Sequence, residues 1–304
     1  MAEHLHALTV GQPPVRLAGY SVAGEETVVG CPELDVVFDI GKAPRMLLNL
    51  TNVCLTHGHM DHAAGIAYYF WQRDFQGNPG GNLLLPEVLA GPVDRLLRDW
   101  AAVEGHQAPF TLVPMKPGGR HEIRRDLFVE AFEVAHGRNV PALGYVVFEA
   151  RHKLRPELAA LTGPEIVAIK KTGQDVTVTS EVPVVAYLGD SEPFDLRTRR
   201  MVSEARVLIA ECTFFDADHR SRAKAGFHTH LDQLPQLLGT TSAQAVVLTH
   251  VTRRTGLKFA KGALRRLLSP ADLARVHLLM DRPGLEPADQ PESPTGESPK
   301  ATEP

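Results

Sequence analysis

Short apolar runs separated by turn residues recur along the chain. Thr27-Val28-Val29 and the stretch from Leu34 to Asp39 come first, bounded by Gly, Pro and acidic positions as strands usually are. Predicted strands follow at 52–56, 82–85, 127–134, 143–148, 182–188, 207–210, 245–249 and 276–280. Between several of these the apolar spacing turns helical. In 87–103, Val88, Leu89, Val93, Leu96, Leu97 and Trp100 recur at about 3.6 residues. The stretches 193–203, 231–238 and 258–268 are further predicted helices. Strands mixed with helices predict a layered α/β or α+β fold. No internal repeat is visible.

The 304 residues are 43% hydrophobic and 22% charged, an ordinary globular composition. That length suits one large domain or two small ones. No apolar run approaches the ~20 residues that cross a bilayer, so no membrane role is expected. Met1 to His6 lacks a basic segment leading into an apolar core, so it does not read as a secretory signal. A cytoplasmic setting is the default expectation. Cys31, Cys54 and Cys212 form no Cys-x-x-Cys pair, which argues against a thiolate metal site or a disulfide framework. From Pro283 the chain is rich in Pro, Glu and Ser. It offers too little apolar surface to offset ordering entropy, so 283–304 is expected to be a disordered tail behind a domain at 1–282.

A net charge of −4 weighs against a nucleic-acid binder, but the cations are clustered. Arg253, Arg254, Lys258, Lys261, Arg265 and Arg266 occur with no acid among them. Arg197, Arg199 and Arg200 form a second group, and Arg220, Arg222 and Lys224 a third. Such runs are commonly solvated faces, yet these lie close to candidate ligands, where they would attract an anionic substrate.

The candidate chemistry begins at Thr56-His57-Gly58-His59-Met60-Asp61-His62. Imidazole and carboxylate are the ligands zinc prefers where water is to be activated. In extended chain, residues two apart point the same way, so His57 and His59 can share an ion. Asp61 and His62 can reach a second. A chance surface cluster would not explain the strand in front or the apolar run from Ala63 to Phe70 behind.

More ligands should stand at strand ends, where sites of layered α/β proteins gather. His136, Asp190 and His250 each follow a predicted strand. The expected arrangement puts His57, His59 and His136 on one ion and Asp61, His62 and His250 on the other, with Asp190 bridging. Two ions roughly 3.5–4 Å apart can share a hydroxide and stabilise both oxygens of a displacement. Asp61 can also orient that hydroxide as a base. The all-N/O donor set suits two zinc ions; manganese or iron would fit as well.

His-x-His-x-Asp-His followed by a lone His, a Gly-Asp and a final Thr-His resembles the metallo-β-lactamase fold superfamily. More narrowly, the chain is similar to short-form ribonuclease Z from about Gly19 to Arg266. The similarity includes Phe38-Asp39-Ile40-Gly41, Gly144-Tyr145 after His136, and Glu211-Cys212-Thr213-Phe214. It implies a four-layered αββα sandwich and removal of the 3′ trailer from precursor tRNA by a metal-bound hydroxide. It also implies a homodimer in which one copy's arm serves the other's site. His228 and Glu211 would then form a second catalytic layer, a histidine tuned by a carboxylate acting as general acid or stabiliser.

The chain departs from that pattern in places. Val251-Thr252-Arg253-Arg254 stands where the family commonly has Ser-x-Arg-Tyr, and the N-terminal Gly-Thr-Gly is absent. Between His136 and Asp190 the stretch is short, with Arg151, Lys153, Arg155, Lys170 and Lys171, so a small basic arm at 150–180 is expected rather than a long Gly-rich one. The alternative is a hydrolase of a small phosphodiester, lactone or sulfate ester on the same metal core. A non-catalytic binding protein is disfavoured, because no ligand is missing.

Overall fold

Alternation within the strands decides how the chain layers. Val36 and Phe38 join one buried cluster and Val37 another. Val207 and Ile209 face the first of these clusters, while Leu208 and Ala210 face a third. Successive strand side chains point to opposite faces, so strands buried on both faces must be covered on both sides. The computed structural model describes residues 5–281; the tail expected at 283–304 lies outside them.

The first sheet contains β1 (His6–Val10), β2 (Val15–Val22), β3 (Glu26–Cys31), β4 (Val36–Phe38), β5 (Asn52–Cys54), β6 (Gly81–Pro86) and β7 (Phe110–Met115), in chain order. The second contains β8 (Arg120–Arg124), β9 (Leu127–Glu133), β10 (Leu143–Leu154), β11 (Thr177–Tyr187), β12 (Val207–Glu211), β13 (Ala245–Thr249) and β14 (Val276–Leu278), again as consecutive neighbours. In each sheet the first four strands pair antiparallel and the rest parallel. The two halves thus repeat one pairing scheme, although their sequences show no repeat.

Helices cover the outer faces. α1 (Met60–Ala63), α2 (Ile66–Phe75) and α3 (Glu87–Glu104) lie with the first sheet, where Tyr69, Phe70 and Leu97 pack with Val37, Val53 and Leu83. After α4 (Gly163–Lys171), α5 (Arg200–Ser203), α6 (Arg220–Gly226), α7 (Leu234–Leu238), α8 (Leu257–Leu267) and α9 (Pro270–Arg275) follow. Val202, Leu234 and Leu264 pack on Leu208 and Val246 of the second sheet. Between the sheets, Phe38, Cys54 and Leu84 meet Val129, Tyr145 and Ile209. The order is helix, sheet, sheet, helix, the α/β sandwich expected.

Several elements differ from the sequence reading. β1, β2, β7 and β8 were not expected. Leu34 belongs to a 3-10 turn, Pro32–Leu34, rather than a strand. The predicted helix at 193–203 splits into a turn at Leu196–Thr198, capped by the Asp195 side chain, and α5. β10 and β11 are much longer than expected. Beyond Glu149, β10 has β11 as its only strand neighbour, so the chain projects as a two-stranded ribbon crowned by α4. Thr162 and Glu165 cap α4 reciprocally, and Pro164 sits in its first turn. The ribbon leaves the end of β11 opposite Asp190. Eleven residues of β11 at about 3.3 Å each place the outer end of that strand, Thr177, roughly 35 Å from Tyr187.

Candidate metal centre

The sequence-nominated residues converge at one edge, beyond the carboxyl ends of the strands. His57 and His59 lie in the irregular segment after β5, and Asp61 and His62 in α1. His136 follows β9, Asp190 follows β11 and His250 follows β13. His57, His59, His136 and Asp190 form one group of potential ligand atoms, all within 4.8 Å of one another; Asp61, His62 and His250 form a second. A third group within that limit joins Asp190, His228 and His250.

Asp190 Oδ2 lies between the groups. It stands 3.3 Å from His62 Nε2 and from His250 Nε2, and 4.0 Å from His57 Nε2 and His136 Nε2. Asp61 Oδ2 is 3.4 Å from His250 Nε2 and 3.7 Å from His62 Nε2, and accepts the Gly24 N–H at 2.9 Å. His136 Nε2 approaches His59 Nδ1 at 3.3 Å. Donor atoms bound tetrahedrally at about 2.0 Å stand about 3.3 Å apart, so these separations suit shared cations. His57 Nε2, His62 Nε2 and His136 Nδ1 are buried without a hydrogen-bond partner. Buried polar atoms are rarely left so, and for the two Nε2 atoms facing Asp190 a cation would supply the missing partner. The donor set therefore fits the binding of metal ions.

Burial and the neighbouring carboxylates shape the electrostatics of the site. Burial pushes the His57 pKa well below the ordinary imidazole range, helped by the neighbouring His62. Burial also opposes charge on His62, but Asp190 and Asp39 outweigh it and hold its pKa well above that range. For Asp190, burial is overcome by His250 and His62, which hold its carboxyl well below the usual value. Backbone geometry is locally costly too. Asp39 and His250 are non-glycine residues at φ 53° and 60°, a conformation that concentrates at functional sites. Gly189 before Asp190 has φ 62°, and a Cβ there would lie 2.8 Å from Thr56 Cγ2, so the turn needs glycine.

A second layer supports the cluster. The fully buried Asp39 accepts from His62 Nδ1 at 2.7 Å, Tyr187 Oη at 2.8 Å, and the Thr56 N–H and Oγ1 at 2.7 and 2.8 Å. Glu211, also buried, accepts from His228 Nδ1 at 2.8 Å, and from the Thr213 N–H and Oγ1 at 3.1 and 2.5 Å. Burial opposes charge on His228, but the hydrogen bond and charge of Glu211 raise its pKa. The His228 ring lies 5.2 Å from that of His250 and 5.3 Å from that of His136. In the sequence, Asp39 and Thr213 stand only within segments that carry the resemblance, and Thr56 and Tyr187 have no assigned role. A Thr directly before the first His was the one local signal. His230 caps Leu231–Gln233, and its Nε2 bonds Asp216 O at 2.8 Å, so it takes no part in the cluster.

No family model matches the chain. Over 256 residues it is 32% identical to tRNase Z TRZ2, chloroplastic, of Arabidopsis thaliana, covering 83% of this chain and 72% of that one. The chain belongs to the ribonuclease Z family. With tRNase Z TRZ1 of the same plant it shares 28% over 259 residues, 84% of this chain and 92% of the relative. Among solved structures, human short-form tRNase Z superposes with a TM-score of 0.57 at 18% identity, over 86% of this chain and 93% of that one. The metallo-β-lactamase fold protein YhfI of Bacillus subtilis gives 0.58 at 14% identity, over 85% and 93%. The fold is thus the metallo-β-lactamase fold.

Proposed function

We propose that the chain is a dinuclear metal phosphodiesterase that removes the 3′ trailer of precursor tRNA. The observation that carries this is the Glu211–His228 pair beside the His/Asp cluster, in a chain whose relatives are named tRNase Z. His57, His59 and His136 would hold one zinc ion and Asp61, His62 and His250 the other, with Asp190 shared. Bound there, the ions supply Lewis-acid stabilisation of phosphate charge and lower the pKa of water.

The protein groups divide the remaining work. Burial opposes charge on Asp61, but the neighbouring His250 and His62 keep its pKa low. It is therefore a weak base, better suited to orienting the attacking water. His228, with Nδ1 anchored on Glu211, presents its Nε2 as proton donor to the departing ribose oxygen. Arg254, Lys258, Arg265 and Arg266 are exposed and have no ion-pair partner among the described residues, and α8 carries three of them away from His250. They would neutralise phosphates along the RNA.

The arm carries Lys153, Lys170 and Lys171, all exposed, but lies far from its own cluster rather than beside it. It would grip a distant part of the tRNA, or serve a second copy's site in a homodimer. Residues 1–282 then form one hydrolase domain with that arm, acting in the cytoplasm. No helix among the described residues is long and apolar enough to cross a membrane.

Protein loaded with zinc or manganese should release the trailer from a precursor tRNA. Absence of cleavage with both metals rejects the proposal. Turnover of bis(4-nitrophenyl) phosphate without RNA cleavage would instead support a small ester substrate, a reading favoured by the net charge of −4.

A further inference from the structure

Two buried carboxylates stand behind the cluster, one on each sheet, and each reaches a candidate ligand through a threonine. Asp39 follows β4, and His57 follows the neighbouring parallel strand β5. Glu211 ends β12, and His250 follows its parallel neighbour β13. Thr56 and Thr213 bridge the two pairs.

Counting protons defines what the bridges do. A threonine hydroxyl has one proton to give. Thr56 Oγ1 gives it to Asp39 Oδ1 at 2.8 Å, and Thr213 Oγ1 to Glu211 Oε2 at 2.5 Å. The backbone N–H groups of Thr56 and Thr213 donate to the same two oxygens at 2.7 and 3.1 Å, so both oxygens are acceptors and these directions do not reverse. Each hydroxyl oxygen must then accept from the ring beyond it: His57 Nδ1 at 2.9 Å and His250 Nδ1 at 2.9 Å. Both rings therefore carry their proton on Nδ1 and turn the Nε2 lone pair to the cluster. His57 Nε2 is one of the buried atoms without a hydrogen-bond partner, and His250 Nε2 faces Asp190 at 3.3 Å. His62 needs no bridge, because its Nδ1 meets Asp39 directly at 2.7 Å.

We propose that Thr56 and Thr213 are positioning residues that set the tautomers of His57 and His250. Their hydroxyls, oriented by Asp39 and Glu211, direct one Nε2 to each candidate ion. This rests on the metal-binding reading and is independent of the substrate. It also gives Glu211 two duties, since its Oε1 holds His228 while its Oε2 orients Thr213.

Thr56→Val and Thr213→Val remove the hydroxyl with little change of shape, whereas Thr→Ser at each position keeps it. Zinc affinity is measured by competition with a chromophoric chelator, without reference to activity. Each Val variant should bind one of two equivalents about 10–100-fold more weakly, the usual effect of losing an outer partner, and each Ser variant should stay near the parent. Should a Val variant fail to fold, the parent decides: long-range ¹H–¹⁵N spectra of metal-free, ¹⁵N-His protein should show Nδ1–H forms for His57 and His250. Parental affinity in both Val variants, or Nε2–H forms in the parent, overturns the proposal. A parent that binds no zinc overturns the metal-binding reading first, before any variant is compared.

Discussion

His228→Asn separates proton donation from everything else His228 does. In the parent, the ring's Nδ1–H bonds Glu211 Oε1 at 2.8 Å. An Asn side-chain amide can offer an N–H near the same point. Glu211 then keeps a donor, and the variant avoids the ~1–3 kcal/mol cost of an unsatisfied buried acceptor. What is lost is the second ring nitrogen, Nε2, which has no hydrogen bond to the protein among the described residues and is free to face the substrate. A positioned general acid contributes about 10²–10⁴-fold, which at about 1.36 kcal/mol per decade is about 2.7–5.4 kcal/mol of barrier.

The assay compares two leaving groups on the same metal-loaded protein. A ribose alkoxide needs a proton as it departs, whereas a nitrophenolate does not. On precursor tRNA, kcat should fall by about 10²–10⁴-fold with KM little changed. On bis(4-nitrophenyl) phosphate, kcat should hardly move. Equal losses on both substrates would refute the general-acid role. So would a fall in bound metal, because His228 lies within 4.8 Å of Asp190 and His250 at their donor atoms and would then be acting as a ligand.

Other expectations concern the surroundings. Arg254→Glu with Lys258→Glu should raise KM for tRNA and lower the slope of log affinity against log salt by about 0.7–0.9 for each phosphate no longer neutralised; an unchanged slope removes these residues from the RNA path. Replacing 151–180 by a short turn should preserve turnover of the aryl phosphodiester and weaken tRNA cleavage, since the ribbon beyond Glu149 adds no strand to the sheet core. Loss of the thermal unfolding transition would show instead that the arm supports the fold. Burial raises the thiol pKa of Cys31, Cys54 and Cys212, so a disulfide reagent should label them only after denaturation. Rapid labelling of native protein would contradict their burial.

What could be read from the chain follows from how local each signal is. His57 to His62 is contiguous, and His136, Asp190 and His250 each follow an apolar strand, so a rule about strand ends finds them. The hydroxyl bridges are not local. Asp39 meets Thr56 across 17 positions and Tyr187 across 148, contacts that exist only once strand order is known. β8 was invisible because Arg-His-Glu-Ile-Arg is an exposed edge whose support is cross-strand, with Arg120 bonded to Glu130 and Glu181. The full lengths of β10 and β11 are hidden for a related reason. Past Phe148 the strand becomes polar because the ribbon has water on both faces, and α4 buries no residue that would reveal its period.

The repeated pairing scheme explains why the first motif was conspicuous and its counterpart was not. Each half ends parallel strands at the same edge, and each puts a buried carboxylate on one strand and a histidine on the next. The first half supplies its further donors from a single turn after β5. The second distributes Asp190, Glu211 and His250 over the ends of β11, β12 and β13. A pairing scheme requires only that the strands be apolar, which many sequences satisfy, so it leaves no repeat in residue identity. The correspondence between Thr56 and Thr213 therefore becomes visible only where the two sheets meet.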